Sequence, residues 1–160
     1  MISCTEFIPA YSELFKYLEG KQGKSALIDF WDYLSDIFLT NLKDDVLKNG
    51  IKGCWIYWGK TLEEEAADFT MELDEGAGEF SITIHRCPSK GRLLEYKHLE
   101  PYRDYCEHCD VLYRRILEPL GYTYILDRSQ TDEAQCHLSI KSNNPNNDDI
   151  LPEQTESKHR

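Results

Sequence analysis

The sequence predicts an α+β fold in which N-terminal helices are followed by an antiparallel sheet of two hairpins that bracket one helix. Three observations carry this. Apolar residues recur at helical spacing through the first third of the chain, the period changes to two near residue 69, and two strand pairs flank a helical stretch without the alternation that βαβ units require. Residues 5–19 place Phe7, Tyr11, Leu14, Phe15 and Leu18 three and four apart, with Thr5 as N-cap and Gly20 as the stop. Ser25 to about Leu47 repeats the pattern through Ile28, Trp31, Leu34, Ile37 and Phe38 and ends at Asn49-Gly50, as one long helix or two abutting ones. Cys54 to Ala67, with Trp55, Trp58 and Leu62, reads as a further helix whose Glu63-Glu64-Glu65 run is a solvated face.

Phe69, Met71 and Leu73 then alternate with polar residues. After the turn Glu75-Gly76-Ala77-Gly78, so do Phe80, Ile82 and Ile84, which makes a β-hairpin. Pro88 cannot donate to a ladder and ends the return strand, leaving Cys87 at a sheet edge. The next helix is expected to start near Pro101 and to run through Val111, Leu112, Ile116 and Leu117 to Pro119 and Gly121. Tyr122–Arg128 and Cys136–Ile140 form the second hairpin across the polar loop 129–133. From Ser142 the composition is Asn, Asp, Pro and Ser, too polar to offset its ordering entropy. Residues 1–142 are therefore read as one domain, with 1–53 as a helical lead-in and 143–160 as a disordered tail.

With 160 residues, 41% of them hydrophobic, the chain can build one core but not two independent ones. Its net charge of −11 repels phosphate backbones and anionic head groups, which excludes a general nucleic-acid or membrane-surface binder. The Met1-Ile2-Ser3-Cys4 start has neither the basic region nor the apolar core of a signal peptide, and no apolar run approaches a membrane span. A cytosolic protein acting on a small molecule is the expectation, and its six cysteines are expected to stay as thiols.

Four of those thiols define the chemistry. Cys106 and Cys109 share a helix face beside His108 and Asp110, while Cys87 and Cys136 are single cysteines at strands. A helix starting near Pro101 brings Cys106 close to the positive dipole end and so lowers its thiol pKa. Three readings stay open on these residues. Zinc could be held by Cys87, Cys106, Cys109 and Cys136, with His85, His108 and His137 in reserve, although the spacing is not that of a zinc ribbon. A dithiol redox pair lacks the preceding strand of a thioredoxin-like frame. A single thiol could act as nucleophile or polar wall, and ordinary core packing is always available to cysteine. His85 and His137 could each pair with a nearby thiol across the sheet, whereas His98 and His159 read as surface and tail.

The segment from about Trp58 to Lys141 resembles the L-2-amino-thiazoline-4-carboxylic acid hydrolase family. The resembling elements are Cys87-Pro88 closing a hairpin, Cys109-Asp110 on the following helix, Gly121 leading into a strand that ends at Arg128, and Cys136-His137 in the last strand. Cys106 has no place in that pattern, and His137 stands where a polar or acidic residue is expected. The resemblance implies hydrolytic opening of a cyclic amidine: water adds to the ring carbon of 2-aminothiazoline-4-carboxylate and the carbon–sulfur bond opens to N-carbamoyl-cysteine. It also implies Cys109 as nucleophile or polar wall, Asp110 as acid–base or amidine-binding carboxylate, and His137 as proton carrier. Arg128 becomes the carboxylate clamp, and Cys87 and Cys136 line the same pocket. No cofactor is required on that reading. The alternative is a non-catalytic module whose thiol-lined pocket binds a small molecule or zinc.

Overall fold

The computed structural model describes residues 4–145, with the side chains of 6–145. Helices α1 (Cys4–Gln22), α2 (Lys24–Phe38), α3 (Thr40–Asn49) and α4 (Ile51–Glu64) precede strands β1 (Asp68–Asp74) and β2 (Glu79–Arg86). Helices α5 (Pro88–Glu95) and α6 (Glu107–Leu117) follow, and strands β3 (Tyr122–Asp127) and β4 (Cys136–Ser142) close the fold. The four strands form one antiparallel sheet in the order β1-β2-β4-β3, so the two hairpins join through their return strands. This is the α+β architecture the sequence predicts. Phe80, Ile82 and Ile84 of β2 lie opposite Ile140, Leu138 and Cys136 of β4, and together they present the apolar face to the helices.

The 25–47 segment is two helices, because Leu39 leaves helical geometry between them. Helix α3 ends at Gly50, whose φ of 59° is left-handed and whose N–H donates to the Val46 carbonyl. Helix α4 starts at Ile51, earlier than Cys54, since Gly53 lets its backbone touch α3. A Cβ at Gly53 would sit 2.3 Å from the Asp45 carbonyl oxygen.

Two corrections concern the segment between the hairpins. It holds two helices, not one: Pro88 ends β2 but also opens α5 at its first position, where a missing N–H costs nothing. The second helix starts at Glu107, not near Pro101. Residues 101–106 form turns anchored by the buried Tyr102, whose N–H donates to Ser12 Oγ at 2.8 Å, and by the buried Tyr105. The predicted tail also begins too early. Asn143 donates its N–H to the Gly121 carbonyl at 2.9 Å and accepts from Thr123 Oγ1 at 2.7 Å, while residues 146–160 lie outside the described residues.

Helix α6 joins two apolar clusters. Leu117 belongs to the larger one, between the sheet and α3–α4, while Val111 and Cys106 pack against the aromatic cluster of Phe15, Trp31, Tyr102 and Tyr105. Among the described residues no helix is long and apolar enough to cross a membrane.

Candidate functional site

A cavity of about 260 Å³ opens where α4, α5 and α6 meet the inner face of β2, β4 and β3. Four thiols from three parts of the chain line it: Cys87, Cys106, Cys109 and Cys136. Trp58, Leu62, Ile82, Leu126 and Leu138 make the floor apolar, Tyr113 and Tyr124 contribute phenol rings, and Glu65, Lys90 and Arg128 add charge.

Local structure explains each thiol's place. Cys136 starts β4 on the same parity as Leu138 and Ile140, which are buried, so it shares their inner face. Cys87 caps α5, its Sγ accepting from the Lys90 N–H at 3.4 Å while its own N–H donates to the Ala134 carbonyl at 2.7 Å. That second bond ties the end of β2 to the approach to β4. Cys106 immediately precedes α6 and Cys109 lies in its first turn, three residues on and therefore on the same side.

The thiols are held neutral. Burial pushes Cys106, Cys109 and Cys136 up to about 12, with the neighbouring thiols adding for Cys106 and Cys136 and the Asp110 charge adding for Cys109. Cys87 is raised for the same first reason. The expected lowering of Cys106 is overturned: its side chain is desolvated at the cavity wall, and loss of water outweighs the opposing pull of Lys90 and Arg128. Cys54, fully buried in the core, is pushed up to about 12 as well.

Two predicted site residues lie elsewhere. Asp110, one step around α6 from Cys109, pairs with Arg114 at 2.6 Å and faces a groove beside Asp32, Asp36 and Arg115. His137 is next to Cys136 on a strand and so must point to the opposite face of the sheet. There its Nδ1 is 3.1 Å from Thr83 Oγ1 on the exposed side. His85 shares that outer face, 2.8 Å from Thr70 Oγ1, and among the described residues pairs with no thiol. Among the described residues no three of His, Cys, Asp and Glu come together as a group able to hold a metal ion. The remaining predicted residues, Cys87, Cys109, Arg128 and Cys136, do converge on it.

Lys90 escaped the sequence reading, and His108 entered it only as a reserve zinc ligand. Lys90 is only 7% exposed, and among the described residues its ammonium has no ion-pair partner. Glu65 could have served, but it pairs with Arg92 at 2.9 Å. Lys90 stands three positions after Cys87, a spacing that shows their proximity only once α5 is known to start at Pro88. His108 is buried among Tyr11, Phe15, Trp31 and Tyr105, and its Nδ1 is hydrogen-bonded to the Tyr105 carbonyl. Its Nε2 lies 3.5 Å from Cys109 Sγ. Burial pushes this imidazole down to about 4, so it is neutral at physiological pH.

Comparison with protein families, with curated proteins and with solved structures finds no match to this chain.

Proposed function

We propose that this chain binds a small, mainly apolar organic anion in the thiol-lined cavity, with Lys90 and Arg128 holding the anionic end. The observation that carries this reading is Lys90, a lysine only 7% exposed and without an ion-pair partner among the described residues, on a cavity whose floor is apolar. A cation at an apolar cavity without a protein partner attracts an anion there, and a ligand carboxylate supplies the missing charge. Arg128 stands on the same cavity, likewise without an ion-pair partner among the described residues, and offers a planar fork suited to a carboxylate. At about 260 Å³ the cavity lies just below the usual size of ligand sites, roughly 300 to 1,000 Å³, which restricts it to a small ligand.

The test is titration with benzoate, phenylacetate and 2-aminothiazoline-4-carboxylate at millimolar concentration, followed by NMR and calorimetry, against the uncharged amide of each. Binding of a carboxylate at least about tenfold tighter than its amide, lost in Lys90→Met, is the expected outcome. Amides that bind as well as the acids, or a panel that leaves the resonances of Lys90 and Cys109 unmoved, would refute the reading.

Ring opening of the cyclic amidine is a second reading, favoured by the position of Cys109 on the cavity wall and by the family resemblance. Asp110 and His137 have no part in it, since neither reaches the cavity. Formation of N-carbamoyl-cysteine from 2-aminothiazoline-4-carboxylate, abolished in Cys109→Ala, is its measurement.

A further inference from the structure

We infer that Cys109 is a nucleophile toward a trigonal carbon, with His108 as its base and the Tyr124 hydroxyl as the donor that receives the developing negative charge. The inference rests on the cavity being the ligand site and adds chemistry to it.

The tautomer of His108 follows from its partners. A backbone carbonyl can only accept, so Nδ1 carries the proton in its bond to the Tyr105 carbonyl, and Nε2 presents a lone pair. That lone pair is 3.5 Å from Cys109 Sγ, within reach of the thiol proton. The surrounding rings of Tyr11, Phe15 and Tyr105 fix the plane of the imidazole. Thiol, base and a group that orients the base are therefore present in sequence.

The second, independent observation is Tyr124. It is fully buried, it lines the same cavity, and its hydroxyl has no hydrogen-bond partner among the described residues. Burial holds the phenol well above its ordinary pKa, so it stays a donor. An unpartnered O–H in a buried wall is costly unless something it can donate to enters the cavity, and an oxyanion or amidine nitrogen on a bound molecule is such an acceptor.

The step balances without any oxidant or reductant. As the Sγ–C bond forms, the thiol proton passes to His108 Nε2 and the π pair of the C=O or C=N bond moves onto the heteroatom. There it meets the Tyr124 O–H. Return of the proton from Nε2 to the heteroatom leaves the product of S–H addition across the double bond. Since the resting thiol and imidazole are both neutral, proton transfer accompanies bond formation and no thiolate stands ready beforehand. Cys109 is thus silent toward a simple alkylating agent and reactive toward a ligand that Lys90 and Arg128 have seated. The substrate class is a small carboxylate bearing an electrophilic trigonal carbon.

4-Carboxybenzaldehyde labelled with ¹³C at the aldehyde is a direct probe, because a hemithioacetal carbon is well separated by NMR from both the free aldehyde and a lysine imine. The expected result is a hemithioacetal on the wild-type protein that is absent in Cys109→Ala. His108→Gln should slow its formation about 100-fold or more while leaving the adduct equilibrium within about twofold, since a base speeds both directions alike. Tyr124→Phe should weaken the equilibrium about tenfold or more. His108→Gln thus moves the rate and Tyr124→Phe the equilibrium, a split that a mere loss of packing would not produce. An imine on Lys90, an adduct that persists in Cys109→Ala, or unchanged rates in His108→Gln would each overturn the inference. Benzoate binding without any hemithioacetal overturns it alone, whereas absence of benzoate binding overturns the binding function beneath it.

Discussion

His108 makes a quantitative prediction about stability that is independent of any ligand. In the folded chain its imidazole is pushed down to about 4 by burial, against an ordinary value of 6.5 that the unfolded chain recovers. Between those values the unfolded state binds a proton that the folded state refuses, so this group costs stability as pH falls through 6.5 and goes on doing so until the folded imidazole titrates. With one proton at stake, the loss is about 2 kcal/mol at pH 5 and about 3 kcal/mol at pH 4. Asp36, Asp104 and Asp127, all lowered by their partners, also lose stability in acid. Comparison with His108→Gln removes them, because both proteins carry them. Urea unfolding of the pair from about pH 7.5 to pH 4.5 should show the wild type losing about 2 to 3 kcal/mol more than the variant. A difference that stays flat across that range refutes the burial argument. If the variant does not fold, the ring carbon shifts of His108 in the wild type answer the same question, and titration near the ordinary value would refute it equally.

Other consequences follow from the packing. Gly53→Ala should cost at least about 2 kcal/mol in urea unfolding, since its Cβ would lie 2.3 Å from a backbone carbonyl oxygen and α4 must move away from α3. A chain ending at Ser142 should be less stable than one ending at Pro145 by about 1 to 2 kcal/mol, because only the longer one keeps the two hydrogen bonds of Asn143. Equal melting of the two would show those bonds to be inconsequential. Asp110→Asn and His137→Ala should leave carboxylate binding within about twofold, and loss of the Asp110–Arg114 pair should cost no more than about 1 kcal/mol. A tenfold fall in affinity for either would return that residue to the site.

The fold was legible because its signals are periodic. Alternation in 69–73 and 80–84 and helical spacing in the first third fixed the class and most elements, and the pairing of the hairpins needed only the return strands to meet. Boundaries failed where one residue has two uses. Pro88 both stops a strand and starts a helix, and Pro101 looks like a helix start but stands in a turn held by Tyr102 and Ser12. Part of the site was legible by a rule the chain itself offered. Adjacent strand residues face opposite ways, so Cys136 and His137 could not share a pocket, and residues adjacent on a helix diverge by about 100°, so neither could Cys109 and Asp110. Lys90, and the buried neutral state of His108, were harder to see, because a buried lysine and a core imidazole differ from surface ones only in what tertiary packing puts around them.

The size of the side chains around the cavity also separates function from fold. At the meeting of a sheet with three helices a close-packed interior would carry Leu or Ile, yet four of the converging positions are cysteines, each with only two side-chain heavy atoms. A sealed void of about 260 Å³ would cost roughly 6 kcal/mol at about 24 cal/mol per Å³, a large share of the stability of an ordinary domain. This cavity opens to solvent and costs less, but filling it would still stabilise the chain. The floor residues Trp58, Ile82, Leu126 and Leu138 are full-sized, so the space arises from the thiols and not from a generally thin core. Their small size and their chemistry can be told apart, since serine keeps the volume and removes the soft nucleophile, while valine removes both. At Cys87 and Cys136, which among the described residues pair with no imidazole, serine should preserve ligand binding and valine should block it. At Cys109, serine should preserve binding and still lose the covalent step, which assigns the room to all the thiols and the reactivity to one.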